Sequence, residues 1–141
     1  LPQKKAMRID APESDYLYIS PSQIEGAGMG LFTAITIHKE EVICLYGGEL
    51  IGEAEALKRA AEYQDKYFIA MPNGKYLDSI HSNCFGRYAN DADGKAPGTT
   101  KNNAKIALTD TGKVCLVAIK KIKVGQEIYC AYGQAYWQKH G

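Results

Sequence analysis

Net charge, long apolar runs and paired cysteines are all scarce in this 141-residue chain. Seventeen Lys and Arg against sixteen Asp and Glu leave a formal charge of +1. That is too little to mark a nucleic-acid binder by bulk electrostatics, so direct nucleic-acid binding is not expected. No stretch approaches the ~18 uninterrupted apolar residues of a membrane-crossing helix. No signal peptide is read at the start, and Leu1 in place of Met fits a fragment of a longer protein. Cys44, Cys84, Cys115 and Cys130 stand far apart, with no CxxC or CxC among them. They read as reduced core residues of an intracellular protein. A zinc site built from His81, Cys84 and distant partners is not favoured, and no metal is expected. Phenylalanine is scarce too, at three against ten tyrosines. Tyr joins an apolar ring to a polar tip, which suits a pocket wall and equally a half-exposed strand face.

What is present reads mainly as strand. The length suits one domain with one core. Residues 1–15 are polar, carry two prolines and read as an N-terminal arm or linker, with the folded domain over 16–141. "YLYISPS", "GLFTAI", "EVICLYGGELI", "YFIAM", "KYLDSI", "NAKIALT", "KVCLVAIKKI" and "QEIYCAYG" are rich in β-branched and aromatic residues. "PNG" and "DTG" supply turns. One helix is expected over 52–67, "GEAEALKRAAEYQDKY", with its apolar stripe on Ala54, Leu57 and Ala61, packed on the outside of a sheet. Strands do not alternate with long helices, which argues against a doubly wound α/β fold.

The stretch "IEGAGMGLFTAITI", residues 24–37, poses the functional question. It is not GxxxxGK[ST], so it is no P-loop, and GxGxxG fails because Leu31 and Thr33 hold the sixth positions. "GAGMG" matches the GxGxG of doubly wound methyltransferases, but that use needs a helix immediately after the loop. "LFTAITIH" is strand-like instead. Two uses remain open: a strand-flanked loop that lets backbone approach a ligand, or a plain hairpin or bulge.

Together with "RYAND" at 87–91 and "GQEIYCAYG" at 125–133, "GMGLF" and "EVICLYGGELI" fall in an order that resembles the SET domain of protein-lysine methyltransferases, from about Tyr18 to Trp137. The C-terminal "YGQAYW" is similar to the ends of small SET and PR-type domains. The resemblance implies a mainly β fold, small twisted sheets around a C-terminal pseudoknot, with one short helix. It implies S-adenosylmethionine as cofactor, S-adenosylhomocysteine as product, and a basic protein substrate such as a histone. The compartment is then intracellular, and nuclear if the substrate is histone, with chromatin-associated partners.

Carried over by motif, Gly28, Met29 and Gly30 resemble the backbone that wraps the cofactor. Arg87, Tyr88 and Asn90 match the segment that holds its amino-acid end and adenine, and Asn103 matches a later asparagine. Tyr132 matches the catalytic tyrosine, which also borders the cofactor. Tyr46 matches a tyrosine lining the lysine channel, and Trp137 with Tyr136 is placed to cover the adenine. The chain departs from the family's Asn-His-Ser with Asn90-Asp91-Ala92, has Asn102 where a proline is customary, and lacks a cysteine-rich tail. Cys130 and Ile106 stand where relatives carry bulkier or hydroxyl-bearing residues, which implies room for more than one methyl group. Tyr129 alternates with Cys130 along the strand and reads as packing. Acidic residues over 49–65 with Asp78, Asp91 and Asp93 suit a basic peptide, or are solvated faces. Two other readings stay open: a SET- or PR-like interaction module with weak or no catalysis, and a small all-β binding or metabolic protein.

Overall fold

The computed structural model describes residues 3–4, 8–62, 68–93 and 100–131. In chain order its elements are β1 (Gln3–Lys4), α1 (Glu13–Tyr16), β2 (Leu17–Pro21), β3 (Met29–Thr33), β4 (Val42–Leu45), β5 (Glu49–Ile51) and α2 (Glu53–Ala61). They continue with β6 (Phe68–Ala70), β7 (Tyr76–Asp78), a 3-10 turn (Phe85–Tyr88), β8 (Ala104–Thr109), β9 (Val114–Ala118) and β10 (Glu127–Ile128). Three small sheets result, ordered β1-β8-β9-β4, β10-β3-β2 and β5-β7-β6. The expected mainly β architecture with one short helix is found among the described residues, with one further helical turn at Glu13–Tyr16.

The sequence explains each sheet. β9, "VCLVA", is buried at every position because β8 and β4 flank it and both its faces are covered. A strand buried on both faces carries a continuous apolar run rather than an alternating one. Leu31, Ile37, Ile43, Leu116, Ile122 and Ile128 are fully buried and join the main core, each contributing roughly 1.5–3 kcal/mol relative to exposure. The expected single strand over "EVICLYGGELI" is two, because the chain leaves the first sheet after Leu45 and enters the third at Glu49.

One expectation, the buried face of the helix, is corrected. Within residues 1–15, where they are described, β1 runs parallel to β8. At the first residue of the expected domain, buried Tyr16 donates to the Ile43 carbonyl at 2.6 Å. Glu13 accepts the Leu45 N–H at 3.0 Å. Burial, with Glu13 nearby, holds the Tyr16 phenol far above its ordinary pKa. The helix presents another face. Ala56 is buried and Ala60 packs beside it on the core of the third sheet, with Ile51, Phe68 and Tyr76, whereas Leu57 is exposed. Two small methyl groups one turn apart let the helix lie close to the sheet. This orientation also delivers Arg59 to three carboxylates: Asp78 at 2.6 Å, Glu55 at 2.8 Å and Glu49 at 2.9 Å. The same pairing raises the Arg59 pKa and lowers that of Glu55. Residues 63–67 of the expected helix lie outside the described residues.

Candidate functional site

The glycine loop joins β2 to β3. Gly26 and Gly28 have φ of +79° and +75°, a left-handed conformation that a side chain disfavours. Ser22 N–H donates to the Gly28 carbonyl at 2.8 Å and closes the loop. Among the described residues nothing lies within 4 Å of where a Cβ on Gly26 or Gly28 would sit, so they leave this strip of backbone open. Gly30 serves a different need: a Cβ there would overlap the Glu127 carboxylate, coming within 2.9 Å of its Cδ.

Glu127 is the residue that sequence reasoning missed. It is 2% exposed on β10 and gathers donors from both ends of the loop region. Ser22 Oγ donates to Oε2 at 2.7 Å, Gln23 N–H to Oε1 at 2.8 Å, and the Tyr129 hydroxyl to Oε1 at 2.9 Å. Asn90 Nδ2 lies 3.5 Å from Oε2. A buried carboxylate needs such a set to replace water. Burial and the adjoining carboxylate hold the Tyr129 phenol well above its usual pKa. Tyr129 also packs with Ile24 and Ala92.

The last strand is clasped between separated segments. Its outer edge meets β3, with Glu127 opposite Phe32 and Ile128 opposite Leu31. On the other side Cys130 N–H donates to the Asn90 carbonyl at 2.9 Å, and Asn90 Nδ2 donates to the Met29 carbonyl at 3.0 Å. Asn103 is buried and engages the strand with both ends of its amide. It donates to the Glu127 carbonyl at 3.0 Å and accepts the Tyr129 N–H at 2.8 Å. Its side-chain amide is thus spent on the strand.

Tyr46 follows β4 and is 8% exposed. Its hydroxyl donates to the Gly86 carbonyl at 3.0 Å, and its ring lies so close to Gly86 that a Cβ there would meet ring atoms at 2.6–2.9 Å. Burial pushes the Cys130 thiol up to about 12, with the neighbouring Tyr46 hydroxyl opposing. Arg87 donates to the Ser82 carbonyl at 2.7 Å and stacks 5.6 Å from the Tyr88 ring centroid. The structure thus brings together Met29, Gly30, Asn90, Asn103 and the last strand, and places Tyr46 against the 3-10 turn and Cys130. Tyr132 and Trp137 lie outside the described residues. A second cleft, of about 300 Å³, is lined by Gly48, Glu49, Asp78, Ile80, His81 and Ser82.

Comparison with known proteins agrees with this layout. A family model described as SET domain matches residues 28–133. The chain is 27% identical over 128 residues to an H3 lysine-36-specific histone-lysine N-methyltransferase of Eremothecium gossypii, covering 85% of this chain and 18% of that protein. It is 30% identical over 118 residues to the Caenorhabditis elegans histone-lysine N-methyltransferase mes-2, covering 82% of this chain and 15% of that protein. Among solved structures, an active polycomb repressive complex 2 in the basal state contains a chain matching at TM-score 0.66 and 27% identity, over 80% of this chain and 14% of that one. The chain spans less than a fifth of the length of these curated relatives.

Proposed function

Because the chain belongs to the SET-domain family, we propose that it transfers methyl groups from S-adenosylmethionine to the side-chain amine of lysine in a protein, with a histone tail as the fitting substrate. A nuclear location and chromatin-associated partners follow from that substrate. The observation that carries this reading is the meeting of Met29, Asn90 and the last strand, three stretches far apart in sequence. It leaves open backbone beside a polar carboxamide, which fits a ligand with a zwitterionic end and a flat ring. The residues to hold it are Gly28, Met29, Gly30, Arg87, Tyr88 and Asn90, with Trp137 over the adenine and Asn103 acting through the strand. When bound, S-adenosylmethionine supplies an electrophilic methyl carbon on a cationic sulfur.

The protein's own task is to present a neutral amine in line. A free lysine has a pKa of about 10.4, so roughly one in 2,500 is neutral at pH 7. Apolar walls disfavour the ammonium and lower that pKa, with the proton leaving to water. Tyr46 and Tyr132 are assigned to those walls: each ring packs on the lysine stem and each hydroxyl offers one oriented hydrogen bond. Tyr46 is fixed in advance by Gly86, so its orientation is not lost as substrate enters. Alignment of nitrogen and methyl carbon at about 3–3.5 Å removes several kcal/mol of barrier.

The test is incubation with methyl-labelled cofactor and core histones, beside Tyr132→Phe. Label in histone that is lost with the phenol supports the enzyme. Tight cofactor binding with no label on any histone supports the interaction-module reading, and absence of cofactor binding overturns both the site and the activity.

A further inference from the structure

A cleft of about 460 Å³ opens on the face formed by residues 100–103, 120–129 and Gln23, and shares no lining residue with the cleft beside Glu49 and Asp78. Lys101, Lys120, Lys121 and Lys123 line it, and all four are exposed. The other lining side chains include Gln23, Thr100, Asn103 and Gln126. Among the described residues Glu127 is the only carboxylate in the lining, and its oxygens are occupied by Ser22, Gln23 and Tyr129. A chain of net charge +1 therefore carries four cations around one concavity. The net charge does not show this asymmetry, because acidic residues elsewhere in the chain offset the basic later strands.

The frame under these lysines is pinned. Ile119 N–H donates to the Asn103 carbonyl at 2.9 Å and ties the two lysine-bearing segments together. Ile122 exchanges hydrogen bonds of 2.8 Å with Ile37 in both directions, and Gly125 N–H donates to Thr33 at 2.7 Å. Lys123 N–H is held by Gln126 Oε1 at 2.7 Å. The cations are thus displayed from fixed backbone, and only their side chains need ordering on contact.

We infer that this cleft binds the phosphate backbone of duplex nucleic acid, through Lys101, Lys120, Lys121 and Lys123. A protein partner would call for apolar or aromatic anchors at the centre of the patch. Among the described residues the one aromatic in the lining, Tyr129, is buried. Single strands are held by exposed aromatic platforms on which bases stack, and among the described residues the cleft offers none. Phosphate contacts ask only for cations and hydrogen-bond donors, which is what lines it. The contact is sequence-independent and salt-sensitive. It does not depend on the proposed methyl transfer.

The experiment measures fluorescence anisotropy of a labelled DNA duplex of about 20 base pairs with the whole chain across a salt series. The triple variant Lys120→Glu, Lys121→Glu, Lys123→Glu is compared with Lys58→Glu, Lys75→Glu, Lys113→Glu, which makes the same change in net charge elsewhere. Lys113 lies at the far end of the β8–β9 hairpin, roughly 16 Å along the strands from the cleft end. The cleft variant is expected to bind about tenfold or more weakly, and its plot of log affinity against log salt to flatten by about 2–3, near 0.9 per lost phosphate contact. The corresponding Lys→Arg triple retains binding. Equal weakening by the two charge-reversal triples overturns the proposal, as does tighter binding to poly-glutamate or single strands than to the duplex. Circular dichroism of each variant separates loss of the cleft from loss of the fold.

Discussion

Asn102 is bonded to Asp91. Its amide nitrogen donates to Asp91 Oδ1 at 2.9 Å, and its amide oxygen accepts the N–H of Ala92 at 2.8 Å. These are the positions where the chain departs from the pattern of its family, and here the departures are partners. Asp91 Oδ1 also accepts the Asp93 N–H at 3.0 Å, so one carboxylate closes its own turn while Asn102 braces it from across the loop. The altered segment is held in place immediately beside Asn90.

Asn102→Ala is expected to lower unfolding free energy by about 1–2 kcal/mol, since it leaves the Ala92 N–H without its partner. It should also weaken cofactor binding severalfold, because Asn90 is the neighbour of the loosened pair. Urea unfolding of Asn102→Ala, Asp91→Ala and the double variant checks this. A coupling of about 0.5–3 kcal/mol is expected for residues in direct contact, and strict additivity would show that the pair is incidental.

The site was legible wherever a residue's type restricts its use. Gly28 and the Asn90 segment stood out because a turn glycine and ordered polar motifs survive as strings. Glu127 was not legible: an acid in "GQEIYCAYG" looks like any solvent-facing strand residue, and its burial depends on Ser22, Gln23 and Tyr129 arriving from elsewhere. One signal was available. Gly30 sits where a strand disfavours glycine, which marks a close approach by some other group. The helix stripe failed because Leu57 outweighs alanine in any hydrophobicity pattern, while the sheet surface admits only the small Ala56 and Ala60. Three of the cleft's lysines stand together in the sequence at Lys120, Lys121 and Lys123, and folding brings Lys101 to them.

Gly30→Ala is expected to destabilise by about 1–3 kcal/mol, the cost of forcing a methyl group into filled space. The group displaced is the Glu127 carboxylate, so the loop at Ser22 and Gln23 should loosen with it. Glu127→Gln keeps the shape but sets an NH2 against either the Gln23 N–H or the Asn90 amide, forces the facing hydroxyl of Tyr129 or Ser22 to reverse, and should cost about 1–3 kcal/mol. Hydrogen exchange at residues 22–30 is the discriminating readout. Both variants should speed exchange there, whereas protection unchanged in Glu127→Gln would mean that the carboxylate does not organise the loop.

Buried thiols set an alkaline limit on stability. Burial raises Cys115 from 9.0 to about 11 and Cys130 from 9.0 to about 12, and lifts Cys44 well above 9.0. Between pH 9 and these values the unfolded chain has released the proton that the folded chain retains. The unfolded state therefore binds fewer protons, and stability must fall as pH rises. Each thiol contributes up to about 1.4 kcal/mol per pH unit within its window. Unfolding free energies at pH 8, 9.5 and 10.5 should show this decline, and Cys115→Ala should make it shallower between pH 9 and about 11. A slope identical to that of the native chain would place its source in other groups.

Product multiplicity tests the site most directly. Cys130 is fully buried beside Tyr46, and Ile106 packs against the same core cluster. Neither brings a phenol to hold a water or a bulky ring to fill space beside the amine. The resemblance to SET enzymes then implies that a partly methylated lysine can turn and react again, so mass spectrometry of a modified peptide should show di- or trimethyl product. Cys130→Phe adds a ring on that side, and the distribution should shift towards one methyl group. The ring also overpacks the core by about 1–3 kcal/mol, so its thermal midpoint must be measured, with Cys130→Ser as the small control that keeps multiple products. A native protein that stops at one methyl, or a folded Cys130→Phe with an unchanged distribution, would remove Cys130 from the determinants of product number.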